Sequence, residues 1–382
     1  MNILLTSSRA PATLELIRVL GQAGHVVHAT DTQPFTVGSH SRWLRRHWVT
    51  PPPRQAPAAF AERLAAIIQR ERIDWLVPTC EEVFYVGQAW ERLAQTTQVF
   101  TMPLAVLAAL HHKGQFQQWA AALGLQTPQT QVVTTTAELQ RALGDVPAYL
   151  LKPAYGRFAT RIITNQGPLA GRTSLAACQP THVQPWLLQA FVEGTSVCSY
   201  SLLHDGHVTA HCAYQTPYQV NHGAGVQFRA VDGAATLAVV QRIGAALSFT
   251  GQLSFDFIEN AAGLWLLECN PRVTSGVHLM HPEQLVGGLL NPQQPTWSEP
   301  PGPPRQLALP LLASVLGRPR RWPTAFHDVL RYGDVIMQRR DPWPALVQFP
   351  MTLHVARLAQ RHHLSLTQAT TWDIEWNGNH TP

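Results

Sequence analysis

The chain has 382 residues, 45% of them hydrophobic and 13% charged, with a formal net charge of +5. That length exceeds one small core and predicts two or three domains, and the composition excludes a disordered or fibrous chain. The positive charge is diffuse: the clusters at Arg42, Arg45 and Arg46, at Arg318, Arg320 and Arg321, and at Arg339 and Arg340 are short or interrupted and sit in no nucleic-acid motif, so no nucleic-acid partner is expected.

Five cysteines (Cys80, Cys178, Cys198, Cys212, Cys269) form an odd, scattered set without a CxxC. This indicates neither a disulfide scaffold nor a cysteine zinc site and predicts a reducing, cytoplasmic location. The opening MNILLTSS lacks a basic leader region, and no uninterrupted apolar run reaches membrane-spanning length, so no membrane partner is expected. The 28 basic residues include two lysines only, Lys113 and Lys152. A chain that avoids lysine so strongly is expected to keep these two for a chemical reason.

In chain order, Asn2–Thr6 reads as a buried strand, Ala12–Ala23 as a helix and His25–Thr30 as a second strand ending at Asp31. This β-α-β opening resembles dinucleotide folds, but TSSRAPA stands where GxGxxG would be, which argues against a nicotinamide enzyme. A helix at Ala58–Arg70 and a strand at Ile73–Pro78 follow. Glu81 and Glu82 then lie either on the ligand side of a parallel sheet or at the cap of the next helix. Lys113 begins a helix that Gly124 ends, and Thr130–Thr134 is a strand. After a helix at Thr136–Leu143, the strand Ala148–Lys152 stops at Pro153. A lysine closing an apolar strand is rarely buried without an anionic partner, and a phosphate chain is one such partner. Residues 186–192 (WLLQAFV) form a strand, and Val197–Leu203 and Val208–Tyr214 a hairpin turning at Asp205-Gly206. Residues 215–230 read as a polar loop carrying His222 and Arg229, and Ala234–Leu247 as a helix. Asn291–Arg305 reads as a linker, and residues 306–382 as a mixed tail with a helix at Pro350–Arg361.

The stretch Leu253–Arg272 (LSFDFIENAAGLWLLECNPR) reads as a β-hairpin folded at residues 259–263. That register places Ile258 opposite Leu264 and Asp256 opposite Leu266, with Glu268 the diagonal neighbour of Asp256 and Asn270 on the same face. Two acids and an amide inside greasy strands call for a positive partner, and their oxygens favour Mg2+ over Zn2+. An edge hairpin with a wet polar face fits the spacing as well.

Taken together, residues 1–290 resemble the ATP-grasp superfamily, closest to its carboxylate–amine ligases and carbamoyl-phosphate-synthase-like members. The resemblance implies an α/β and α+β chain with a Rossmann-like domain at 1–108. A two-lobed ATP-grasp module would follow, with a small lobe at 109–190 and a large lobe at 191–300, then an extension at 301–382. It places Lys113 (in HHKGQF) and Lys152 (in LLKPAYGRF) on the nucleotide phosphates. Gln189, Ala190 and Val192 would meet adenine at the hinge, and Asp256, Glu268 and Asn270 would hold Mg2+, or Mn2+ in its stead. The phrase Glu268-Cys269-Asn270-Pro271-Arg272 resembles the E-x-N-P-R signature, with Arg272 at the transferring phosphoryl group or the substrate carboxylate.

Three positions depart from the pattern: Ser196 replaces a ribose-binding glutamate, Ser254 an arginine, and the loop after Lys152 keeps only Gly156. Arg229 and Arg157 are the expected substitutes for the missing positive charge. The implied activity is ADP-forming ligation of a small carboxylate to an amine through an acylphosphate, with Arg272, Arg229 and Lys152 catalytic. An ATP-grasp kinase and a non-catalytic nucleotide-binding component are the alternatives. His222 and His278 are candidate bases for the amine, against the plainer reading of surface or core histidines. A homodimer is compatible with the tail.

Overall fold

The computed structural model describes residues 1–156, 161–220, 224–296, 302–316 and 319–378. Arg157, Thr160 and His222 lie outside them. Three sheets carry the architecture. The first holds β1 (Asn2–Leu5), β2 (Val26–Asp31), β3 (Leu44–Val49), β4 (Trp75–Val77) and β5 (Gln98–Val99), all parallel, in the order β3-β2-β1-β4-β5. β1 and β4 are essentially apolar runs, as burial on both faces demands; Ile3, Leu4 and Leu5 are fully buried. The edge strand β3 was not anticipated, because LRRHWV looks like a charge cluster. Its arginines occupy an edge, where charge blocks further pairing, and the Arg46 guanidinium lies 4.0 Å over the Trp48 ring.

The second sheet, β6 (Thr130–Val133), β7 (Tyr149–Pro153), β8 (Ile163–Thr164) and β9 (Trp186–Ala190), is antiparallel in the order β6-β9-β7-β8. The helix Thr136–Leu143 packs beneath it, started by Thr135, whose hydroxyl accepts from the Glu138 N–H at 3.2 Å.

The third sheet begins with β10 (Thr195–His204) and β11 (His207–Gln215). The described part of the stretch expected to be a polar loop holds the strands β12 (Gln219–Val220) and β13 (Ala224–Gly225), then β14 (Gln227–Val231), which pairs with β11. β15 (Gly251–Asn260), β16 (Gly263–Asn270), β17 (Arg305–Gln306) and β18 (Gly333–Asp334) complete the order β16-β15-β10-β11-β14-β17-β18. The helices Lys113–Ala122 and Ala234–Leu247 cover one face, with Phe116 stacked on Phe255 at 6.0 Å between centroids. The other face meets the first sheet, where the buried Gln252 amide donates to Pro78 O at 2.7 Å and accepts from the Tyr200 hydroxyl at 2.6 Å.

The tail returns to the first sheet through two buried arginines. Arg18 binds Asp341 at 2.8 Å, and Arg9 binds Asp373 at 2.7 Å. The helix near the end runs Trp343–His362, with Pro350 inside it, longer than expected. Among the described residues, no helix is long and apolar enough to cross a membrane.

Candidate active site

The hairpin β15–β16 exists, with a register that differs from expectation. Asn260 pairs with Gly263, so the turn is two residues long, and Ile258 faces Trp265 rather than Leu264. That tighter turn by itself would bring Asp256 opposite Leu267. The pairing slips once more between Asp256 and Phe257, so Leu267 is an extra residue and Asp256 stands directly opposite Glu268 instead of diagonal to it. The bulge has a specific support. Gln117, buried on the helix Lys113–Ala122, donates its amide to Leu266 O at 2.9 Å and Leu267 O at 2.8 Å. Sequence reasoning missed Gln117. Its signal was position: four residues after Lys113, it lies on the same helical face.

Both lysines converge on this pair. Lys113 is the first residue of its helix, capped by the His112 ring, which accepts from the Gln115 N–H at 3.2 Å. The Lys113 N–H donates to Ala154 O at 3.2 Å and its ammonium to Gly156 O at 2.9 Å, tying this helix to the loop after β7. Lys152, within β7, is buried. The Lys113 and Lys152 ammonium nitrogens stand 3.6 and 3.9 Å from the same Glu268 oxygen. Burial alone would raise the Glu268 pKa, but the two lysines overcome it and hold the carboxyl down at about 2. Among the described residues, Asp256 has no such cation against it. Burial, reinforced by the Glu268 charge opposite, pushes it up to about 7.

Asn270 donates its amide to Asp256 at 3.3 Å and accepts from the Arg272 guanidinium at 3.1 Å. The Arg272 Nε donates to Glu81 at 2.8 Å. The first sheet thus reaches the hairpin from the C-terminal end of β4, and the two adjacent glutamates part roles. Glu81 goes to the site. Glu82 starts the helix Val83–Gln88 and accepts from the N–H groups of Thr79 and Cys80, both at 3.0 Å, and from the hydroxyls of Thr6 and Ser7.

A cleft of about 400 Å³ adjoins the acid pair, lined by Leu150, Gln189, Ala190, Val192, Ile258 and Leu267 among others. Ile258 is two residues from Asp256 on the same strand face, and the bulge carries Leu267 beside Glu268. Apolar side chains against exposed main chain make a slot suited to a flat heteroaromatic ring. The Ala190 N–H is already given to Gln129 O at 2.8 Å, and the Gln189 amide to the Thr130 hydroxyl at 2.9 Å. Ala190 therefore offers a ligand its carbonyl alone. Gly194 closes the hinge so tightly that a Cβ there would strike Glu259 O and come within 2.6 Å of Ile258.

Two expected residues are not brought here. Arg229 lies on a strand rather than in a loop, and its side chain is exposed. Tyr214 pairs with Ala230 in the row that runs through Cys198 to Asp256, so Arg229 is one residue out of that row, on the opposite face. His278 is buried and meets Glu15 at 3.2 Å, a core contact as in the plainer reading.

Among the described residues, no three or more His, Cys, Asp or Glu side chains are grouped for a metal. Asp256, Glu268 and Asn270 form a smaller, all-oxygen set whose crowded negative charge fits a hard divalent cation.

No family model matches the chain, and no curated protein matches it in sequence. Solved structures do match. N5-carboxyaminoimidazole ribonucleotide synthetase from Thermus thermophilus is similar at a TM-score of 0.58 and 17% identity, over 79% of this chain and 81% of that one. N5-carboxyaminoimidazole synthetase from Staphylococcus aureus, complexed with ADP, is similar at 0.60 and 10% identity, over 78% of each. An L-amino acid ligase from Bacillus licheniformis is similar at 0.51 and 14% identity, over 72% of this chain and 68% of that one.

The chain has the ATP-grasp fold. Its mixed α/β architecture brings both lysines to Glu268 of the hairpin, with Arg272 joined to Glu81 from the first sheet.

Proposed function

We propose that the protein is an ATP-dependent, ADP-forming ligase that activates a small carboxylate, an amino acid or related acid, for attack by an amine. One observation carries this reading. The chain's only two lysines meet one member of a facing carboxylate pair, in the same hairpin that lends Ile258 and Leu267 to a largely apolar cleft. The ADP complex of a similar structure and the L-amino acid ligase among the neighbours support it.

Adenine occupies the hinge slot, read by main chain at Ala190 and Val192. Lys113 and Lys152 leave Glu268 to neutralise the α- and β-phosphates, and their burial strengthens that interaction. Asp256, Glu268 and Asn270 would hold Mg2+, which would supply charge neutralisation for phosphoryl transfer. Arg272, oriented by Glu81, meets the substrate carboxylate or the transferring phosphoryl group. No protein nucleophile is required. Arg157 adds phosphate charge from the loop after Lys152, and Arg229 acts only if the large lobe rearranges.

The test is ADP release from ATP and Mg2+ with pooled amino acids and small carboxylic acids, followed by mass analysis for an amide product. Amide and ADP in equal amounts are expected. ADP with a phosphorylated acid and no amine consumption would make the protein a kinase, and tight ATP binding without any turnover would make it a binding component.

A further inference from the structure

Most of the large apolar side chains standing in solvent belong to the tail. In the helix Trp322–Arg331, Trp322, Phe326 and Leu330 recur every fourth residue and are 42%, 53% and 88% exposed. The side turned inward buries Ala325 and Asp328. Ala325 and Val329 pack against Leu311 and Val315, so this stripe is a second apolar face beyond the one that meets the core. Leu316, 69% exposed, ends the neighbouring helix Ala308–Val315, and the Trp322 indole donates to Val315 O at 2.8 Å, so the two helices stand side by side.

The charge around this stripe has one sign. Arg320, Arg321 and Arg331 flank it and are exposed. The nearby acids have partners of their own, Asp328 also standing 3.5 Å from the exposed His327. Asp328 accepts from Gln227 at 3.0 Å, Asp334 from the Ala308 N–H at 2.7 Å, and Asp341 binds Arg18. The face therefore presents apolar side chains within a rim of guanidinium groups.

We propose that this face docks the protein on an anionic lipid bilayer surface. The side chains protrude rather than line a groove, and a fluid acyl layer receives protruding groups without a matching shape. Its anionic headgroups complement the arginine rim. A second copy of the chain would set that rim against itself, and like-charge juxtaposition opposes such a contact. The lack of long apolar runs that led to the expectation of no membrane partner concerns spanning a bilayer, not resting on it. A short helix of this kind binds reversibly, so both apolar contact and charge are needed.

The test is co-sedimentation of the full chain with vesicles of phosphatidylcholine alone or mixed with phosphatidylserine. Binding to the mixed vesicles alone, weakened by salt, is expected. The double change Phe326→Ser with Leu330→Ser should lower partitioning at least about tenfold, and Arg320→Gln or Arg331→Gln about fivefold each. Val183→Ser, at an exposed apolar residue elsewhere, should leave it unchanged. Circular dichroism and melting confirm that each variant is folded. The proposal is overturned if the native chain binds neither vesicle, if it binds both equally, or if the serine variant binds undiminished. It is also overturned if the native chain sediments as a concentration-dependent dimer that the serine variant dissolves, since the face would then join copies of the chain.

Discussion

Two clusters of buried charge in this molecule are built in opposite ways. Around Arg9 each charge has a near partner. The guanidinium reaches Asp31 at 2.6 Å, Asp373 at 2.7 Å and Thr370 O at 3.1 Å, and Thr32 closes the ring onto Asp373. Around Glu268 the charges stand off. Its lysines are 3.6 and 3.9 Å away, and Asp256 opposite has an amide at 3.3 Å and, among the described residues, no cation in contact. The two aspartates record the difference. Burial would raise Asp373, but Arg9 overrides it and lowers that carboxyl, whereas burial and Glu268 together raise Asp256. A satisfied cluster joins two parts of a fold. An unsatisfied one, beside a cleft, is arranged for something that arrives.

The comparison can be broken most severely at the lysines. Replacing both Lys113 and Lys152 with Met should weaken ADP binding by about a thousandfold, read by calorimetry, because two buried phosphate partners are lost. Retained binding would show that the cluster is structural after all. Asp373→Asn should cost about 3 kcal/mol in chemical denaturation, the scale of a broken buried ion pair, and expose the tail to proteolysis. Asp256→Asn, which removes crowding, should leave the melting temperature unchanged or raised. A comparable loss in both variants would erase the distinction.

Gln117→Leu gives a finer probe. It keeps the helix but releases both bulge carbonyls, so Mg2+-dependent nucleotide affinity should fall about tenfold, the usual effect of losing a group that orients metal ligands. An unchanged affinity would mean that the bulge holds itself.

Much of this site was legible in the sequence for physical reasons. The lysines and hairpin acids are rare types in apolar surroundings, and burial of charge leaves few explanations. The helices at Thr136–Leu143 and Ala234–Leu247 carry clear periodicity and fall where they were read. The register of the hairpin was not legible, because alternation cannot show a bulge whose support, Gln117, lies about 150 residues away in the chain. β3 and β14 were missed because arginine on an edge and a short QFRAV among glycines both look like loop. The misplacement of Arg229 followed from reading a strand as a loop.

Acidity separates the two kinds of buried charge as well. His211 is buried between the Ser201 and Thr236 hydroxyls, and burial lowers its pKa to about 4. Its folded value lies below the unfolded one near 6.5, so its contribution is fully present above about pH 6.5 and is lost as the pH falls toward 4. The loss amounts to roughly 3 kcal/mol at most. His211→Gln should therefore flatten the fall in stability between those values. Asp373 has a lowered folded pKa, so its contribution persists through that window and disappears only on further acidification. Identical profiles for His211→Gln and the native chain would contradict this assignment.

If the proposed function holds, Glu268 is the node at which lysines, metal and nucleotide meet. The most direct measurement compares ADP release by the native chain and by Glu268→Gln, each shown to be folded, with ATP, Mg2+ and the pooled acids and amines. Turnover by the native chain and a loss of at least about a hundredfold in the variant are expected. Equal ADP formation by the two folded proteins would contradict it.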